Sequence, residues 1–174
     1  MMLLRIIIFL FIFLFLTPFE VLSAPAKWRR PQYIKSYVPS DHINTKMVKE
    51  AFERWAKVSK GKIKFYFVHS PKIAQIRVNF VDIIPYDEWA VSSEERMVRR
   101  GRKIRSSIYI ASSTYSGKKL SRDEIFTIML HEVGHSLGVP HTQNKLSVMY
   151  PTVDVKQEIL QSDIKKLHML YNIK

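Results

Sequence analysis

The stretch His131-Glu132-Val133-Gly134-His135-Ser136-Leu137-Gly138-Val139-Pro140-His141 constrains this chain more than any other feature. Histidines four positions apart on a helix project from one face, one turn above the other. That spacing lets a ring nitrogen from His131 and one from His135 approach a single Zn²⁺ at about 2.0–2.1 Å. Glu132 lies beside the first of them, where its carboxylate can reach a metal-bound water. Gly138 ends the helix at a position where a left-handed backbone is cheapest. The chain can then turn and bring in His141 as a third ligand. Three protein ligands leave a fourth position for water, the arrangement of a catalytic rather than a structural zinc site. The chain has six histidines and no cysteine, so no thiolate is available to close the coordination sphere.

The residues upstream predict the helix that carries the motif. Ser121 with Glu124 three positions later has the form of a capping box. Ile125, Phe126, Ile128, Met129, Val133 and Leu137 then recur with helical spacing. A helix over about 122–137 follows, and Phe126 and Met129 are expected in the core rather than at the site.

Beyond His141 comes Ser147-Val148-Met149-Tyr150-Pro151. A methionine turn after the elongated zinc motif marks the metzincins, and within that clan the chain most resembles the matrixins. Thr142 after the last histidine, the short gap from His141 to Met149, and Met149-Tyr150-Pro151 all point there. The resemblance extends to residues 27–59 as first strand and helix, 74–80 as third strand, and 161–171 as closing helix. It implies an α+β metzincin (zincin-like) domain: a twisted, mostly parallel five-stranded sheet with one antiparallel edge strand, two large helices and a C-terminal helix. It implies a zinc metalloendopeptidase in which His131, His135 and His141 hold one catalytic zinc and Glu132 is the general base. Met149 would form the turn beneath the metal without binding it, and Pro151 stands where other clans carry a metal-binding Tyr, so Tyr150 is not a fifth ligand. Tyr150, Pro151, Thr152 and Val153 would line the pocket for the side chain after the scissile bond. Family members commonly have Pro-x-Tyr there; this chain has Pro151-Thr152-Val153.

The same resemblance places Ser107 to Ala111 as the antiparallel edge strand above the cleft, with Ile108, Tyr109 and Ile110 facing an extended polypeptide substrate added as a further strand. Residues 82–106 match the family least. A second, structural zinc is not expected, because no histidine lies between positions 70 and 130. Calcium on the acids of this region is conceivable but unsupported. The stretch reads as a charged loop whose cluster from Arg96 to Arg105 could steer acidic substrate segments or an anionic surface towards the cleft.

Before this region, Tyr33 to Val38 alternates as a half-buried strand. A helix starting at Asp41 or Asn44 is expected through Val58, and β-rich runs cover 63–68 and 73–81. At the N-terminus, Arg5, the apolar run Ile6 to Leu16 and Ala24-Pro25-Ala26 form a signal peptide over 1–26, cleaved before Lys27. A retained N-terminal membrane anchor is the alternative. The remaining 27–174 is the length of one domain, expected to be secreted or extracytoplasmic and monomeric. Without cysteine it holds no disulfide and no thiol that could mask the metal. The formal net charge of +13 favours anionic surroundings; nucleic acid is not expected as a partner of an exported chain. The contrasting reading is a cationic cell-surface or cell-wall binding protein with a vestigial zinc site. Retention of Glu132 argues against it.

Overall fold

The computed structural model describes residues 26–84, 92–99 and 102–174, with only the backbone along 92–99 apart from Val98. The leader expected over 1–26 therefore lies outside the described residues up to position 25. In chain order the elements are β1 (Ile34–Tyr37), α1 (Thr45–Val58), β2 (Phe65–Phe67), β3 (Ile76–Val81), β4 (Ser92–Arg99), β5 (Arg102–Ala111), α2 (Arg122–Leu137) and α3 (Gln161–Tyr171). A single 3₁₀ turn, Pro71–Ile73, leads into β3.

The five strands form one sheet in the order β2-β1-β3-β5-β4. β1 pairs in parallel with β2 and β3, and β3 with β5; only β4 runs antiparallel, along β5. Two sequence expectations need correction here. The basic stretch expected as a loop contains β4 and the first half of β5. Ser107 to Ala111 is not the antiparallel edge: it is the parallel end of β5, bonded on one side to β3 and on the other to β4. Ile108, Tyr109 and Ile110 consequently have no open main-chain edge for a substrate, and Ile108 and Ile110 are buried. The antiparallel edge strand is β4. Charged side chains masked it, because an edge strand needs no apolar face on its solvent side and tolerates charge that hinders aggregation.

Helix α1 buries Met47, Val48, Ala51, Phe52 and Trp55, one apolar stripe at helical spacing. Phe52 meets Phe65 and Phe67 of β2 edge-on, with ring centroids 4.9 and 5.8 Å apart. Trp55 reaches further, and its indole N–H donates to the Leu130 carbonyl at 2.8 Å. This bond ties α1 to α2 one residue before His131. Helix α2 is buried nearly all round, from Ile125 to Leu137, which fits its place in the middle of the domain.

Its start is built as expected. Ser121 Oγ accepts from the Glu124 N–H at 3.2 Å, and the Ser121 N–H donates to Glu124 Oε2 at 2.8 Å. Lys118 Nζ donates to Glu124 Oε1 at 2.8 Å. The Lys118 ammonium, then the two bonds to Ser121, hold the Glu124 carboxyl down at about 2. A folded-state value below the usual 4.5 means the carboxylate stabilises the fold above pH 4.5, and this contribution disappears as pH falls through 2. Ser121→Ala should lower unfolding stability by about 1 kcal/mol at neutral pH in urea melts. The deficit of Glu124→Gln, measured the same way, should shrink between pH 4.5 and 2.

Candidate metal centre

Helix α2 brings His131 and His135 onto one face, and Gly138 then breaks the helix with φ of 95°. Two facts at Gly138 demand glycine. The left-handed backbone disfavours any Cβ, and a Cβ there would stand 2.5 Å from the Ala26 carbonyl oxygen and 2.9 Å from Leu170 Cδ2. Past the turn, His141 folds back towards the helix. Its Nε2 lies 2.9 Å from His135 Nε2 and 3.4 Å from His131 Nε2.

The opposite ring nitrogens are tied to the backbone. His131 Nδ1 lies 2.6 Å from the Val148 carbonyl, and His135 Nδ1 3.0 Å from the Val139 carbonyl. A carbonyl only accepts, so each Nδ1 carries the proton and each Nε2 presents a lone pair. His131 is buried, and that burial, with the nearby His141 charge adding to it and the Val148 bond opposing it, pushes its pKa down to about 4. The ring is neutral at pH 7, the form a metal needs.

These donors fit a zinc ion. Tetrahedral bonds of about 2.0–2.1 Å put ligand nitrogens about 3.3 Å apart, close to the spacings found. Among the described residues, His131, His135 and His141 are the group able to hold a metal ion, with ligand atoms within 4.8 Å of one another. Glu132 follows His131 on the helix and is 8% exposed. The side chains of the acids at 87–95, read as conceivable calcium ligands, lie outside the described residues.

Met149 is fully buried under the site. A Cβ on Gly134 would collide with Met149 Sδ and stand 2.8 Å from Trp55 Cζ2, so Gly134 exists to let the methionine turn approach the helix. That turn is held from α3. The buried Asp163 carboxylate accepts from Ser147 Oγ at 2.7 Å and from the Leu160 N–H at 3.0 Å. Ser147 Oγ in turn accepts from the Met149 N–H at 2.9 Å. The Thr142 N–H donates to the Met149 carbonyl at 3.0 Å, and Lys166 Nζ donates to the His141 carbonyl at 3.1 Å. Sequence reading missed Ser147, Asp163 and Lys166; an acid in the first turn of a helix looks like ordinary capping, and nothing local shows what it faces.

Of the residues expected to line a substrate pocket, Tyr150 is half-buried and Pro151 and Thr152 are exposed. Val153 packs onto the small cluster of Ile128 and Ala111. Gln157, also unforeseen, is buried and braces this segment: its amide donates to the Lys145 and Thr152 carbonyls at 3.2 and 2.7 Å.

A mostly parallel sheet over two helices, with three histidines converging at the broken end of the second, defines a metzincin-like α/β protein. The model of the matrixin family matches residues 27–172, and the chain belongs to that family. A protein of Trichoplusia ni ascovirus 2c, provisionally named as a matrix metalloproteinase, is 28% identical over 142 residues, 71% of this chain and 27% of that protein. Human matrix metalloproteinase-26 is 39% identical over 54 residues, 29% of this chain and 21% of its own length. Rat stromelysin-2 is 39% identical over 56 residues, 29% of this chain and 12% of its own length. The chain thus spans about a quarter or less of the relatives it matches. Zinc-dependent metalloproteinase is the activity of the family.

The packing at Gly134 gives a direct check. Gly134→Ala should force Met149 aside and destabilise the domain by about 1–3 kcal/mol, as overpacking a filled core does. Thermal melts of metal-free protein would measure it.

Proposed function

We propose that the chain is a secreted zinc metalloendopeptidase that cleaves extended polypeptides. The observation that carries this reading is the convergence of three imidazole nitrogens, with two of the rings held by Nδ1 bonds to the backbone. His131, His135 and His141 would hold the ion. Zinc supplies Lewis-acid polarisation of the scissile carbonyl and acidifies water. Glu132 takes the proton from the attacking water as its oxygen bonds to the carbonyl carbon, then delivers it to the amine nitrogen as the C–N bond breaks. The helix that carries Glu132 is pinned by Trp55 at Leu130 and meets Met149 at Gly134.

The substrate would lie along β4, the antiparallel edge strand, whose outer side pairs with no other strand among the described residues and can bond an added one. Main-chain pairing of this kind gives affinity without demanding one sequence. Basic residues of the β4–β5 hairpin, among them the exposed Arg102 and the half-buried Arg105, would favour acidic segments or an anionic surface near the cleft. Val153, packed beside Ile128, would form part of the wall next to the scissile bond. Export follows from the leader read over residues 1–26, and a monomer suffices for all of these roles.

Glu132→Gln should lose at least 10³-fold in hydrolysis of a denatured protein substrate while still binding one zinc per chain. Chelation should abolish wild-type activity and added zinc restore it. Wild-type-like turnover by Glu132→Gln would remove Glu132 as the base.

A further inference from the structure

The C-terminal end of α2 faces an unusual demand. A helix leaves its last carbonyls without intrahelical donors, and here those carbonyls are buried directly behind the metal-binding rings. Three consecutive ones are met by side chains from distant parts of the chain. Lys103 Nζ donates to the His135 carbonyl, Trp28 Nε1 to the Ser136 carbonyl at 2.9 Å, and Tyr171 Oη to the Leu137 carbonyl at 2.8 Å. The Trp28 N–H also donates to Tyr171 Oη at 3.3 Å. The cap therefore joins the segment at 26–28, β5 and α3 on one helix end.

Lys103 is the member that bears on a ligand. It is 5% exposed, rare for an ammonium, and a local irregularity of β5 aims it inward. Met97 pairs with Arg105 and Val98 with Lys103, so Ile104 has no partner on β4. Such a bulge shifts the alternation of side chains by one. Lys103 and Ser106 are both buried while Ile104 is exposed. The Lys103 N–H donates to the Lys27 carbonyl at 3.0 Å, which seals the ammonium beneath the 26–28 segment. Its positive charge suits the negative end of the helix dipole. The carbonyl it reaches belongs to His135 itself and also accepts from the Gly138 N–H at 2.8 Å.

We infer that Lys103 is a positioning residue for the metal centre: it fixes the backbone of His135 and the following turn, and so sets where His135 and His141 meet. The ring of His135 is fixed by Val139, which lies on that same turn. Loosening the turn thus frees both the ring and its partner. Lys103 and His141 also line one pocket of about 440 Å³ with His135 and Gly138.

The inference rests on the metal-site reading for its functional meaning, but its first test needs no metal. Lys103→Met keeps the aliphatic stem and removes the donor. In metal-free protein it should speed amide hydrogen exchange at Gly138 and Val139 at least tenfold, leave mid-α2 amides unchanged, and be rescued by Lys103→Arg. Zinc affinity, read by competition with a chromogenic chelator, should fall 10–100-fold, as loss of an outer-shell partner does. Unchanged exchange at Gly138 and Val139 in Lys103→Met overturns the inference. A wild-type chain that exchanges as expected but binds no zinc overturns the metallopeptidase reading and leaves the positioning of the turn standing. If Lys103→Met does not fold, Lys103→Gln, whose shorter stem does not carry a donor to the His135 carbonyl, takes its place and should speed exchange at Gly138 and Val139 in the same way. No change there likewise overturns the inference.

Discussion

Two hydrogen bonds from ring Nδ1 atoms to the backbone, His131 to Val148 and His135 to Val139, are the constraint on which the centre depends. Each fixes a tautomer and a ring plane together. An imidazole free to rotate about its side-chain torsions would give up conformational entropy on binding an ion; these rings have given it up already on folding. Both acceptors lie outside the helix that carries the rings. Val148 is in the methionine turn and Val139 in the turn after Gly138. The metal site is therefore assembled only when three separate segments are in register.

Much of the remaining structure supports those segments. Asp163 holds Ser147, which holds Met149, which holds Thr142 beside the third histidine. Gly134 lets the methionine turn press against α2, and Gly138 lets the segment at residue 26 press against the helix end. Trp55 and Trp28 each direct an indole N–H to a carbonyl of α2, one before the motif and one after its second histidine. Buried polar groups bonded across segments in this way make a core specific. They also couple the site to the whole domain, so distant substitutions act on the ligands through the turns.

What could be read in the sequence was what is local. Histidine spacing on α2, its capping box, the glycine at its end and the apolar stripe of α1 are all periodic or short-range signals, and each is found in the structure. β4 was not legible, because a strand at the sheet's edge, rich in Arg and Glu, lacks the alternation that marks a half-buried strand. Misreading it moved the edge to 107–111, whose Ile-Tyr-Ile alternation is that of a strand covered on both sides. The cap on α2 was equally hidden. Trp28, Lys103 and Tyr171 look like ordinary residues of three unrelated segments, and only the tertiary fold makes them one cluster.

Hydrolysis at this centre requires three imidazoles to share one ion with an open position. X-ray absorption at the zinc edge of the purified, metal-replete chain tests this most directly. Three imidazole nitrogens and one exchangeable oxygen at about 2.0–2.1 Å are predicted, with one zinc per chain. A sulfur scatterer, a fourth protein ligand or no stoichiometric zinc would contradict it.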